Sequence, residues 1–223
     1  MTQQDCDEII TNTIGFGVER YYVMSLSKQE DFLPIWHIYA NCGGYNIQFD
    51  SLKLIKNMRS EQSMDPEYES YENLSCPVFY THGQIAERIK FAYDNCLSKI
   101  TDVKSRISGL LSLLVVCSAF TKSKHYQFED EYRILVAKLC DPQNPKSDGE
   151  VKYRLREGSD LVVPYLAIPI KNQGKEWPIT GIKLGPLNNN TSSIHGVQKI
   201  LDSCGLSKDI VSVSEIPYKS SKN

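Results

Sequence analysis

Glu129-x-Glu131-x-Arg133 sets two carboxylates and a guanidinium at every second position of one stretch. In a strand all three share a face, because strand side chains repeat every two residues. Such a row beside a core is costly unless the charges pair. Two accounts stay open. In one, Arg133 neutralises Glu131 along a solvated face, for roughly 0–1 kcal/mol. In the other, Glu131 lines a pocket and Arg133 holds it in place. Burial would then raise the Glu131 pKa while Arg133 would lower it. A second constellation is Ser25-x-Ser27, two hydroxyls on one face at a strand end. Ser27 is equally placed to cap a helix, a role worth ~1 kcal/mol.

Other chemistries find no footing. No G-x-x-x-x-G-K-[ST] or G-x-G-x-x-G cradle and no G-x-S-x-G elbow occurs. The four histidines (37, 82, 125 and 195) lack ligand spacing, so no metal is expected. Cys42, beside Gly43-Gly44, is the one cysteine in an active-loop setting, with a simply buried thiol as its ordinary alternative.

The elements that position these residues are read from periodicity. Lys124–Ala137 alternates as a strand, with Tyr126, Phe128, Tyr132, Ile134 and Val136 facing one way and Gln127, Glu129, Glu131 and Arg133 the other. Tyr21–Ser27 is strand-like. Ser27-Lys-Gln-Glu30 has capping-box spacing, and Pro34 interrupts the following helix or opens a second one. Ile35, Trp36 and Tyr39 would share its apolar face. Asn41–Gly44 is a turn and Tyr45–Phe49 a strand. Ser51–Met58 is a short amphipathic helix, Arg59–Asn73 a loop, and Cys76–Tyr80 a strand whose proline suits a start or an edge. Ile85–Ile100 and Val103–Phe120 read as helices, the second buried nearly all round. Asp141–Glu150 is a loop, followed by strands over Val151–Arg156, Leu161–Ile170 and Pro178–Leu184. A helix capped by Asn190 or Thr191 runs to a Gly205 stop, and Asp209–Ile216 is the last strand. The class is α+β, a single domain of mostly antiparallel strands over 18–217 with a helical insert at about 85–121. Residues 1–17 read as a flexible lead-in and 218–223 as a frayed tail.

Composition bounds the rest. The 223 residues suffice for a full core, with 41% hydrophobic and 23% charged residues and a net charge of −2. That balance lacks the cationic surplus of a chain that wraps nucleic acid. Seven scattered cysteines without a C-x-x-C predict reduced thiols in a cytoplasmic protein. The most apolar run, Leu110–Phe120, is too short to span a bilayer, and no secretory leader is expected.

The order of these motifs resembles a widespread bacterial family of unknown function. The shared landmarks are a strand ending Ser25-x-Ser27, then Trp36-x-x-Tyr39-Ala40 and Gly44-x-x-Ile47-x-Phe49. Lys124-x-Tyr126-x-Phe128-Glu129-x-Glu131-x-Arg133 and Ile182-x-Leu184-Gly185-Pro186 complete the series. Tyr126 and Phe128 stand where the family usually has Trp and Tyr. The family's opening Tyr/Arg-Tyr strand and Asn-Asp-Pro-Phe-Glu turn are not matched, so the chain reads as a shortened member.

A weaker resemblance is to ADP-ribosyltransferases of the Arg–Ser-x-Ser–Glu-x-Glu type. It implies NAD as co-substrate, with Ser25, Ser27, Trp36 and Tyr39 around the cofactor. Glu131 would grip the ribose and stabilise oxocarbenium charge, Glu129 would select a protein or nucleic-acid acceptor, and Arg133 would support Glu131. An NAD-binding arginine is not carried over, since Arg20 lies an odd number of residues before Ser25 and would face the other side. The implied activity is NAD-consuming ADP-ribosyl transfer or NAD cleavage, in a bacterial effector, toxin or defence protein. The alternative is a non-catalytic binding or regulatory module that keeps the fold without its first strand.

Overall fold

The structure is a computed structural model that describes residues 18–58, 71–139, 151–156, 160–171 and 176–218. The lead-in expected over 1–17, most of the 59–73 loop, the 141–150 loop and all but the first residue of the tail lie outside that set. The class is α+β with mostly antiparallel sheets, and the chain falls into two compact units.

The first unit holds residues 1–26 and 59–168. Its sheet has the order β1 (Val18–Ser27), β4 (Glu131–Leu139) and β3 (Tyr71–Pro77), so β4 is central. That position explains the run Ile134-Leu135-Val136, in which every side chain is at most 2% exposed. A central strand covered on both faces is apolar without alternation. β3 pairs antiparallel with β4, with Leu74 opposite Leu135 and Cys76 opposite Arg133. Pro77 closes β3 at the edge of the sheet, where a missing amide is tolerated.

Between β3 and β4 comes the helical insert. α1 (His82–Asn95) starts in a capping box: Thr81 accepts from the Gln84 amide, and the Gln84 side chain accepts from the Thr81 amide. A short 3₁₀ turn, Leu97–Lys99, leads to α2 (Val103–Ala119), which Asp102 caps through the Ser105 amide at 2.7 Å. This second helix is not buried all round, as its composition suggests. Only Cys117 is fully buried, while Val103, Leu114 and Val115 are exposed. A hairpin, β5 (Val151–Leu155) with β6 (Val162–Leu166), completes the unit.

The second unit holds residues 27–58 and 169–223. It contains α3 (Leu33–Ala40), β2 (Tyr45–Phe49), α4 (Ser51–Met58), β7 (Ile179–Leu184), α5 (Thr191–Ser203) and β8 (Val211–Val213). β7 is central, antiparallel to β2 and parallel to β8, with α5 as the crossover that parallel strands require. Leu184, Val197 and Leu201 form its core, packed by Ile182, Ile194 and Leu206. Gly185 is where backbones meet. A Cβ there would stand 2.9 Å from the Cys42 carbonyl oxygen and 3.1 Å from the Trp36 ring.

Ser27-Lys-Gln-Glu30 does not form a capping box. The helix begins at Leu33, with Pro34 in its first turn, and the Ser27 hydroxyl accepts from the Gln29 amide at 3.0 Å. Glu30 instead pairs with Lys183 at 2.9 Å and accepts from Gln48. Pro34 fits the first turn, where its missing amide would have no helical partner and its fixed φ suits the helix. Asn190 caps α5, and Gly205 stops it at φ +69°. Among the described residues no helix is long and apolar enough to cross a membrane.

Candidate functional site

The strand expected from Lys124 begins only at Glu131. Residues Lys124–Glu129 wind into a 3₁₀ helix, capped by Ser123, and Asp130 turns the chain with φ 42°. Asp tolerates the left-handed region better than most residues, because its short side chain bonds locally. Glu129 is therefore not on the strand face. The turn nonetheless delivers it to the same spot, where Glu129 is 4% exposed and Glu131 5%.

Lys122 joins them. Its Nζ donates to Glu129 Oε2 at 2.5 Å and to Glu131 Oε2 at 3.1 Å, and sits over the Tyr126 ring at 4.9 Å. Arg133 takes the other side of Glu131 in a fork: Nε donates to Oε1 at 2.8 Å and Nη2 to Oε2 at 3.2 Å. The Arg133 Nη1 group donates to the Ala119 carbonyl at 2.5 Å, which ties the end of α2 to β4. From the neighbouring strand, Ser25 hydrogen-bonds Glu131. The Tyr80 hydroxyl oxygen accepts the Glu131 amide at 2.9 Å, and burial pushes the Tyr80 phenol up. Among the described residues, two carboxylates and two cations thus gather in one cluster inside the first unit.

Burial works to raise the Glu131 pKa, but hydrogen bonds from Arg133, Ser25 and Lys122, with the charge of Arg133, overrule it. The carboxyl is held at about 2 against an ordinary 4.5. Glu131 thus does not lie on a solvated face, and Arg133 forks onto its carboxylate. Lys122 and Tyr80 were not legible from the motif spacing. A signal for the lysine exists in charge balance, since two buried carboxylates with one arginine call for a second cation.

The remaining candidates lie in the second unit. The Trp36 indole is 4% exposed and donates to Asp31 Oδ1 at 2.7 Å. Asp31 also accepts from the Ser214 hydroxyl at 2.8 Å and the Glu215 amide at 3.0 Å, which fastens the chain after β8 to the start of α3. Trp36 is a core residue, whereas Tyr39 is 65% exposed. Ser25 is brought to Glu131, while Ser27, one turn of the alternation later, serves its own loop. Cys42 is 1% exposed, at φ 58°, with its sulfur 4.0 Å from His37 Nδ1. Among the described residues no group of His, Cys, Asp and Glu could hold a metal ion.

A family model described as "Protein of unknown function (DUF2971)" matches residues 35–134. The matched stretch runs from α3 into β4. It takes in Trp36, Tyr39, Lys122, Glu129, Glu131 and Arg133 and stops short of Ser25 and Ser27. The chain is similar to that family over this stretch. No curated protein matches, and no solved structure does.

Proposed function

We propose that this chain is a non-catalytic binding or regulatory module whose buried carboxylates are committed to holding its central strand. One observation carries this reading. A carboxylate offers about four acceptor positions, and Glu131 has four donors: Arg133 Nε, Arg133 Nη2, Lys122 Nζ and the Ser25 hydroxyl. At 5% exposure it has little left to offer a ribose hydroxyl or an oxocarbenium centre. A glutamate that works on substrate must exchange one of those partners for it.

A second reading rests on a separate observation. Ser25, the first hydroxyl of Ser-x-Ser, bonds the last glutamate of Glu-x-Glu and is itself exposed. That pairing is what an NAD-consuming ADP-ribosyltransferase-like enzyme would use, with Ser25 yielding its bond to the ribose. Incubating purified protein with NAD and following nicotinamide by chromatography separates the two readings. The module predicts release no faster than in buffer. Release that Glu131→Gln abolishes would overturn the module and establish the enzyme.

A further inference from the structure

A pocket of about 360 Å³ opens in the first unit between β3, α1 and α2, within the usual size range of small-molecule sites. Its walls are mostly apolar, with Leu74 from β3, Phe79 after it, Leu113 and Val116 from α2, and Phe120, beside the hydroxyls of Ser75 and Ser112. It is not a sealed packing void, and one of its lining residues, Leu74, is 45% exposed. An apolar hollow open to water is unfavourable to leave wet, and such hollows mark binding sites.

Among the described residues, one cationic side chain lines this pocket. Arg88 of α1 lines it, with its guanidinium 5.8 Å from the Phe91 ring centroid. Arg88 forms no ion pair among the described residues. Its charge is felt at the pocket wall: burial pushes the Cys117 thiol up, and Arg88 pulls it back. An apolar hollow lined also by an exposed arginine has the polarity of an amphipathic anion turned inside out. The guanidinium fork can pair bidentately with a carboxylate.

We infer that this pocket binds a small amphipathic carboxylate, its apolar body among Leu74, Phe79, Leu113, Val116 and Phe120 and its headgroup on Arg88. The site is independent of whether Glu131 acts on NAD, since neither Glu129 nor Glu131 lines it.

Calorimetric titration of the full chain with dodecanoate, below its micelle range, tests this directly. Saturable binding near one equivalent is expected. Arg88→Met keeps the aliphatic stem and removes the charge, and should weaken dodecanoate by about tenfold or more, the scale of a charge-assisted bond. Dodecanol, which lacks the charge, should bind both proteins alike. Val116→Trp should fill the hollow and abolish binding of both probes, with Leu113→Trp as the substitute if thermal melting shows that variant unfolded. No saturable binding of dodecanoate overturns the inference. So does equal dodecanoate affinity in Arg88→Met, or undiminished binding in the folded tryptophan variant, which would mark adsorption elsewhere.

Discussion

Replacing Arg133 by methionine removes both arms of the fork on Glu131 and the bond to the Ala119 carbonyl, while keeping most of the aliphatic volume. Glu131 would then stay buried with Lys122 and Ser25 alone, and Lys122 is shared with Glu129. Breaking a buried pair from one side typically costs ~3–5 kcal/mol, because the remaining charge is stranded. The carboxyl itself gives a second measure. Its pKa lies at about 2 rather than 4.5. At 1.36 kcal/mol per pH unit that is about 3 kcal/mol of native-state preference for the charged form. Arg133 is the leading source of the lowering, so a loss of about 3 kcal/mol at pH 7 is expected. Urea titration read by circular dichroism measures it, with the slope checked for two-state behaviour. A companion variant separates charge from packing. Glu131→Gln added to Arg133→Met removes the stranded charge and should recover at least about 1 kcal/mol. A loss below ~0.5 kcal/mol in the single variant is the range of an ordinary surface change. It would refute the buried network, and with it the reason for excluding Glu131 from chemistry.

Acid should act through the same group. Its folded pKa is depressed, so its contribution is full above about pH 4.5 and is lost as pH falls through about 2. Urea midpoints should therefore drop between pH 5 and pH 2.5 in the wild type, and less steeply in Glu131→Gln. Lys122→Met removes a cation from both buried carboxylates at once, and should destabilise by ~3–5 kcal/mol in the same titration. Restoring balance with Glu129→Gln in that background should regain part of the loss. The Tyr22 hydroxyl is buried with no hydrogen-bond partner among the described residues. Tyr22→Phe should accordingly hold or raise the melting temperature, whereas a hidden partner would make it cost ~1 kcal/mol or more.

The α+β class, the helix over 191–203 with its Asn190 cap and Gly205 stop, and the antiparallel strands were legible because each rests on local chemistry. The failures share a cause. Alternation carried the reading of one strand through Lys124–Ala137, but a 3₁₀ turn followed by Asp130 in the left-handed region keeps the same residue spacing with another geometry. Charge and burial do not distinguish the two, since both deliver Glu129 and Glu131 to one place. Ser27-to-Glu30 spacing pointed to a capping box, yet Glu30 found long-range partners in Lys183 and Gln48, which no local pattern contains. The apolar run of α2 predicted burial nearly all round, while Val103, Leu114 and Val115 remain exposed. The cluster itself was half legible: Glu129, Glu131 and Arg133 from spacing, but not Lys122 or Tyr80, which reach it through turns and tertiary packing.

Whether Glu131 is already fully engaged can be seen at the carboxyl itself. With the protein labelled at glutamate side-chain carbonyl carbons and the signal assigned through Glu131→Gln, its chemical shift is followed from pH 7 down to pH 3.5. A carboxylate held at about 2 by Arg133, Ser25 and Lys122 stays ionised over that range, and its signal should barely move. A midpoint near the ordinary 4.5 would show a carboxylate free of those partners and available to a substrate.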